Sequence, residues 1–216
     1  MRALTEEETK VLFAKLANYT GTSLKNLIAP LDNSPNGDRY VFRLHQSRCY
    51  YVLLSIANLA TSIARDQLLS LGTCLGMSSH LTPRTQSTIP KKTKEPVLTL
   101  SPPGKFTKTL KFRLHITALP ILAAHARHKL WIKPNGEMPF LYGGHILKAH
   151  VGRWSEDCPE HQGIVVYSMN DTPLGFGVTA RSTQEARRLD PTGIAAFRQA
   201  DCGEFLRDED TLFSTQ

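Results

Sequence analysis

The chain has 216 residues, 41% hydrophobic and 21% charged, enough to bury a core in one large or two small domains and ordinary for a folded soluble protein. That balance excludes a disordered, collagen-like or coiled-coil chain, and no apolar run approaches the ~20 residues of a bilayer span. Lys and Arg number 26 against 19 acids, a formal net charge of +7, which favours an anionic partner, nucleic acid ahead of membrane.

The start, Met1-Arg2-Ala3-Leu4, turns acidic at once, so neither secretion nor mitochondrial import is expected. Thr5-x-x-Glu8 is a capping box, and Val11, Leu12, Leu16 and Tyr19 follow near one helical face. Ser34-Pro35-Asn36-Gly37-Asp38 is a turn leading into a strand over 39–44, with a second strand at 48–52. Leu53, Ile56, Leu59 (with Ala60) and Ile63 recur at helical spacing, which predicts a helix packed on that sheet. Residues 68–75 read as a further strand.

Residues 77–103 differ from the rest: 5 Pro, 5 Thr and 4 Ser, few large apolar side chains, and the basic cluster Lys91-Lys92-Thr93-Lys94. Such a stretch buries too little surface to offset its ordering entropy, so a flexible insertion tethered at Gly76 and Gly104 is expected, and limited proteolysis is expected to cut there first. A strand over 105–115 and a short apolar helix over 119–126 follow. The tetrapeptide Phe-Arg-Leu-His occurs at 42–45 and at 112–115, a repeat too short to carry weight.

Beyond residue 125 the pattern is of short strands and frequent turns, as in a small barrel or sandwich. Strands are expected at 129–133, 145–151, 163–168, 174–179 and 194–200. Pro134-Asn135-Gly136 reads as a turn, 139–142 as one helical turn, and Ser182-x-x-Glu185 as a capping box opening a short helix.

The charge is unevenly spread. Residues 1–76 carry 8 bases and 6 acids, 77–103 carry 4 and 1, 104–124 carry 4 and none, and 125–216 carry 10 and 12. A nucleic-acid surface in the last stretch therefore requires local segregation of charge. Arg181, Arg187 and Arg188 flank the Ser182 helix, a setting suited to phosphate oxygens. Lys148 and Arg153 bracket His150, while Asp201, Glu204, Asp208, Glu209 and Asp210 lie elsewhere in the sequence. Trp131, Phe140, Tyr142 and Trp154 are candidates for stacking on bases, with Trp131 and Phe140 better read as core.

Catalytic and cofactor motifs are weak. Gly175-x-Gly177-x-x-Ala180 satisfies a dinucleotide fingerprint, but it lies in a hairpin strand, where its glycines suit close backbone approach. Cys158-x-x-His161 has no second short-spaced pair for tetrahedral zinc, so it reads as a surface loop. Four dispersed cysteines fit reduced thiols, and Cys49 and Cys74 sit in apolar, strand-like surroundings where cysteine is inert. No nucleophile elbow or P-loop occurs. No cofactor, metal or catalytic residue is expected.

Several ordered blocks then carry a resemblance: Leu4-Thr5-Glu6-Glu7-Glu8, Phe42-Arg43-Leu44-His45, Ser70-Leu71-Gly72-Thr73-Cys74, Lys105-Phe106-Thr107-Lys108-Thr109, Leu130-Trp131-Ile132-Lys133-Pro134, Gly144-His145-Ile146-Leu147-Lys148, and Val165-Val166-Tyr167-Ser168-Met169 running into Pro173-Leu174-Gly175-Phe176-Gly177-Val178. Over residues 1–75 and 104–212 the chain resembles the Nip-seven family of ribosome-biogenesis proteins. The resemblance implies an α+β chain of two domains. The first, 1–124, is an α/β domain with an antiparallel sheet, and the second, 125–216, is a PUA domain, a small β-barrel RNA-binding module. It further implies a non-enzymatic factor for pre-rRNA processing and large-subunit assembly in the nucleus and nucleolus. Such a factor binds uridine-rich single-stranded RNA through its PUA domain and other assembly factors in pre-ribosomal particles through the first domain. A monomer with no membrane association is expected. Arg181, Arg187 and Arg188 fall in the PUA segment that matches the family's RNA contact; Lys148 and Arg153 rest on charge alone.

The stretch 77–103 departs from the family, which passes directly into Lys-Phe-Thr-Lys-Thr. A lineage-specific loop, a splice variant or a translated intron would each produce it. The alternatives for function are an RNA-modifying enzyme with an appended PUA domain, or a protein-only assembly scaffold.

Overall fold

The structure is a computed structural model that describes residues 1–30, 38–45, 48–63, 71–78, 112–155 and 157–209. After the two-residue strand β1 (Arg2–Ala3), the expected capping box opens α1 (Glu6–Thr20). Thr5 Oγ1 accepts from Glu8 N at 3.3 Å, and Glu8 Oε2 accepts from Thr5 N at 2.8 Å. Arg2 closes the arrangement with two bonds to the Glu8 carboxylate, at 2.8 and 2.6 Å. Those Arg2 bonds, helped by the Thr5 backbone and opposed by burial, hold the Glu8 carboxyl down to about 2 from its ordinary 4.5.

The folded-state value is the lower one, so the cap stabilises fully above the ordinary carboxyl range and its contribution is lost as pH falls towards about 2. Thermal midpoints measured from about pH 5 down to about pH 2.5 should therefore fall. A Glu8→Gln variant should lose that part of the slope. An unchanged slope would show that Glu8 is not the titrating group.

β2 (Tyr40–His45) and β3 (Arg48–Leu53) pair antiparallel, then α2 (Leu54–Leu59), β4 (Thr73–Ser78) and β5 (Phe112–Leu114) follow. Among the described residues these strands form one sheet in the order β1-β2-β3-β4-β5, antiparallel throughout. Leu12, Leu16 and Tyr19 of α1 are buried in a cluster with Leu44, Cys49, Leu75 and Leu114, so α1 covers one face of it.

Two expectations change here. The helix after β3 is short, and of the expected stripe Ala60 is buried, with Ala57 beside it, while Ile56, Leu59 and Ile63 are exposed, Leu59 by 73%. Helical spacing reports which residues share a stripe, and the side facing the sheet is the alanine side, where the backbones come closest. The strand expected at 68–75 begins at Thr73 and runs past Gly76, with Met77 and Ser78 paired to Arg113 and Phe112. Residues 79–111, which hold most of the expected insertion and most of the strand expected at 105–115, lie outside the described residues. The strands flanking that stretch are direct neighbours.

α3 (Leu119–His125) leads into β6 (Lys129–Ile132), α4 (Pro134–Leu141), β7 (Ile146–Leu147) and β8 (Val151–Trp154). Then come β9 (Gly163–Ser168), β10 (Pro173–Thr179), α5 (Thr183–Arg188), β11 (Ile194–Asp201) and α6 (Glu204–Arg207). The second sheet runs β7-β11-β10-β9-β6-β8 among the described residues, with β6 and β9 parallel and the other pairs antiparallel. Its two edge strands, β7 and β8, are joined by a single 3-10 turn, Lys148–His150. So short a link between opposite edges requires the sheet to curl until they nearly meet, which is the small barrel expected for this half.

The strand expected at 145–151 is thus two strands either side of that turn. Pro134-Asn135-Gly136 is not a separate turn but the first turn of α4, with Pro134 near its N-terminus where a missing N–H costs nothing. Gly175 and Gly177 behave as expected: a Cβ on either would lie 2.4 Å from Ala200 O or 2.3 Å from Phe197 O, because β11 passes that close at a bulge.

The two sheets share one core. Trp131, Val165, Tyr167, Phe176 and Ala200 of the second half belong to the same buried cluster as α1. Tyr19 packs edge-on against Phe176 with ring centres 5.5 Å apart, and its hydroxyl donates to Gln199 Oε1 at 2.7 Å.

Candidate nucleic-acid interface

α5 is built between β10 and β11. Ser182 Oγ accepts from Glu185 N at 3.4 Å, which supplies one half of the expected capping box. Thr183 is buried and anchored to the Cys158 backbone, its hydroxyl accepting from Cys158 N at 2.9 Å while its own N–H donates to Cys158 O at 3.0 Å. Cys158 is therefore a buried residue of the barrel's second core cluster, not the surface loop expected for it. His161 is exposed, with a positive φ of 58°, so the two ends of the Cys-x-x-His stretch sit in different environments.

Arg181, Arg187 and Arg188 are all exposed. Arg181 precedes the cap and reaches Glu160 at 4.0 Å, a solvent-screened pair that leaves its guanidinium available. Arg187 and Arg188 lie in the last turn. Six helical residues span ~9 Å, so Arg181 and the Arg187–Arg188 pair are spaced to meet successive phosphates and do not converge on one.

Lys148 comes to the same place in another role. Its ammonium donates to Arg187 O at 2.7 Å and to Leu189 O, so it caps the C-terminal carbonyls of α5 and holds the arginine turn against the barrel. Arg153 belongs to a separate cluster. It stacks 4.0 Å over Trp131 and lies 3.6 Å from Asp171, which accepts from Trp131 Nε1 at 2.6 Å.

Of the four aromatic candidates, Trp131 and Phe140 are buried as expected and Trp154 is partly covered. Tyr142, just past α4, is 71% exposed, so its ring is open to solvent. Sequence spacing gave no sign of what holds it there. Arg207 donates to Leu141 O, and its other nitrogen bonds both Asp201 oxygens at 3.0 Å. Arg198 Nε lies 3.1 Å from Asp201 Oδ2, and Arg198 Nη2 donates to Glu204 Oε1 at 3.0 Å. Burial pushes the Glu204 carboxyl up, against the pull of Arg198. Asp201 and Glu204 are thus not part of an exposed acidic face. They are buried and neutralised by two arginines, which removes acidic charge from the surface by pairing where segregation was expected.

Cys49 and Cys74 are not activated as nucleophiles: burial pushes Cys49 up to about 12 and raises Cys74 as well.

A family described as "NIP7/UPF0113, pre-PUA domain" matches residues 1–83, and "UPF0113 PUA domain" matches residues 128–210. The chain is similar to the Saccharomyces cerevisiae "60S ribosome subunit biogenesis protein NIP7", 56% identical over 99% of this chain and 100% of that one. The chain belongs to the NIP7/UPF0113 family. The corresponding Xenopus tropicalis homologue is 50% identical over 98% of this chain and 99% of its own. In fold alone, the chain matches a crystal structure of a PUA domain from Aeropyrum pernix at a TM-score of 0.52 and 11% identity, over 97% of this chain and 90% of that one. A hypothetical protein from Pyrococcus horikoshii matches at 0.51 and 10% identity, over 98% of each. The antiparallel N-terminal sheet and the barrel-like C-terminal sheet are therefore the two parts that the sequence resemblance implied.

Proposed function

We propose that this protein is a non-catalytic RNA-binding factor for large ribosomal subunit assembly, acting on pre-rRNA within nucleolar pre-ribosomal particles. The observation that carries the reading is full-length similarity to relatives named as 60S subunit biogenesis proteins, joined to a PUA barrel that presents three exposed arginines around α5. Residues 125–216 form the RNA-binding unit. Arg181, Arg187 and Arg188 bind backbone phosphates, Lys148 positions their turn, and Arg153 adds charge at the barrel edge beside Trp131. Tyr142 stacks on an unpaired base, and uridine-rich single strands are preferred.

Residues 1–124 meet assembly partners as a monomer. The exposed stripe Ile56, Leu59 and Ile63, with Tyr40 at the same end of the sheet, supports that contact. The raised thiols of Cys49 and Cys74 support a non-catalytic role.

Titration of the full chain onto uridine-rich and uridine-poor single strands at low and moderate salt tests the reading. Salt-sensitive binding that favours the uridine-rich strand is expected. Equal affinities would remove the uridine preference, and no binding at either salt would leave a protein-only scaffold.

A further inference from the structure

The strands of the N-terminal sheet carry bases and no acids, although residues 1–76 hold 6 acids in all. Among the described residues between Glu8 and Glu137, Asp38 is the sole acid, set against Lys10, Lys15, Lys25, Arg39, Arg43, Arg48, Arg113, Arg127, Lys129 and Lys133. The Asp38 carboxylate is taken up locally, by the Ser55 hydroxyl at 2.5 Å and by the Arg39 and Ser55 backbone N–H groups.

Sheet register gathers part of this charge on one face. Leu44, Cys49, Gly76 and Leu114 lie opposite one another across the four strands, and Leu44, Cys49 and Leu114 enter the core under α1. The neighbouring row, His45, Arg48, Met77 and Arg113, therefore lies on the other face, with Arg43 two residues along β2 on the same side. The extended backbone of His115 continues β5, so its ring shares that face with Arg113. β2, β3, β4 and β5 contain no acidic residue at all.

Two features mark this face as more than a solvated charged surface. His45 Nε2 and His115 Nδ1 are buried and have no hydrogen-bond partner, although both side chains are more than nine-tenths covered. Buried polar atoms are nearly always satisfied, so two unsatisfied imidazole nitrogens beside arginines are a feature of this face that core packing does not account for. Burial, and then the charges of Arg48 and Arg113, hold His115 down to about 4, so its ring is neutral beside two guanidinium groups. Arg113 is exposed and Arg43 half-buried, so neither is sealed in the core. From the other half of the chain Glu204 feels the Arg113 charge, but its carboxylate oxygen is bonded to Arg198.

We propose that this face of the N-terminal sheet is a second phosphate-binding surface, at which Arg43 and Arg113 hold the backbone of single-stranded RNA with Arg48, His45 and His115 behind them. β2 and β5 are three strand spacings apart, ~14 Å, so Arg43 and Arg113 contact different phosphates of one strand. The inference rests on the RNA-binding reading above and adds a contact outside the barrel.

The test uses the full chain and a uridine-rich single strand over a salt series, with wild type, an Arg43→Gln/Arg113→Gln double variant, and Arg39→Gln as a control at the far end of the same sheet. Each lost phosphate contact lowers the slope of log affinity against log salt by ~0.7. The double variant should therefore lose ~1.4 in slope and bind several-fold more weakly, with an unchanged thermal midpoint and an unchanged control. Wild-type slope and affinity in the double variant would overturn the proposal while leaving barrel binding intact, as would an equal loss in the control, which would signify net charge alone. Full RNA binding with lost association to pre-ribosomal particles would assign the face to a protein and also overturn it. Absence of binding by wild type would remove the underlying reading as well.

Discussion

Replacing Asp201 with Ala should lower the thermal midpoint by on the order of 10 °C. The carboxylate is fully buried and receives Gly203 N at 2.8 Å, Arg207 Nη2 at 3.0 Å and Arg198 Nε at 3.1 Å. Its removal strands two guanidinium groups, one of them mostly buried, with Glu204 left as a partner for Arg198 alone. Breaking a buried pair of this kind costs ~3–5 kcal/mol, far more than an exposed pair. Asp201→Asn keeps the shape and one acceptor oxygen, so its loss should be smaller. A shift under ~2 °C for Asp201→Ala would mean that water replaces the carboxylate cheaply. The same variant frees Arg207 from its anchor, so the chain just before Tyr142 loosens and RNA affinity should fall with stability.

The second large effect is on RNA. Arg181→Ala/Arg187→Ala/Arg188→Ala removes three exposed cations from the turn around α5 and leaves the buried Thr183 and Ala186 that seat it on the barrel. At ~1 kcal/mol or more for each charge-assisted phosphate contact, affinity should fall by on the order of 100-fold. The factor should be similar for every sequence, since phosphates carry no base identity. Circular dichroism should be unchanged, because none of the three side chains is buried. Lys148→Ala is expected to weaken binding through a different route, by releasing the carbonyls of Arg187 and Leu189.

Local rules were readable from the residues where one element decides the outcome. The α1 capping box, the strand β9 and the close approach at Gly175 and Gly177 each follow from short-range chemistry. Features set by contacts distant in sequence were not readable. Ile56, Leu59 and Ile63 have helical spacing for a core, yet of that stripe it is Ala60 that is buried, with Ala57 beside it. The 148–150 turn that joins both edges of the barrel looks like one continuous strand until closure is known.

The candidate site divides the same way. Its three exposed arginines were legible as a basic cluster on a short helix. That Lys148 serves as a helix cap, that Cys158 anchors Thr183, and that Asp201 and Glu204 are buried partners of arginines all depend on side chains brought together by the barrel. A run of acids reads as surface in any sequence, because nothing local announces the cation that will neutralise it.

The most direct test of RNA binding through the α5 turn is the salt dependence of affinity for one uridine-rich single strand, compared between the full wild-type chain and its Arg181/Arg187/Arg188 triple-alanine variant. Loss of three phosphate contacts predicts a slope shallower by ~2, together with weaker binding at every salt concentration. Equal slopes and equal affinities in the two proteins would contradict the account and place the RNA elsewhere on the molecule.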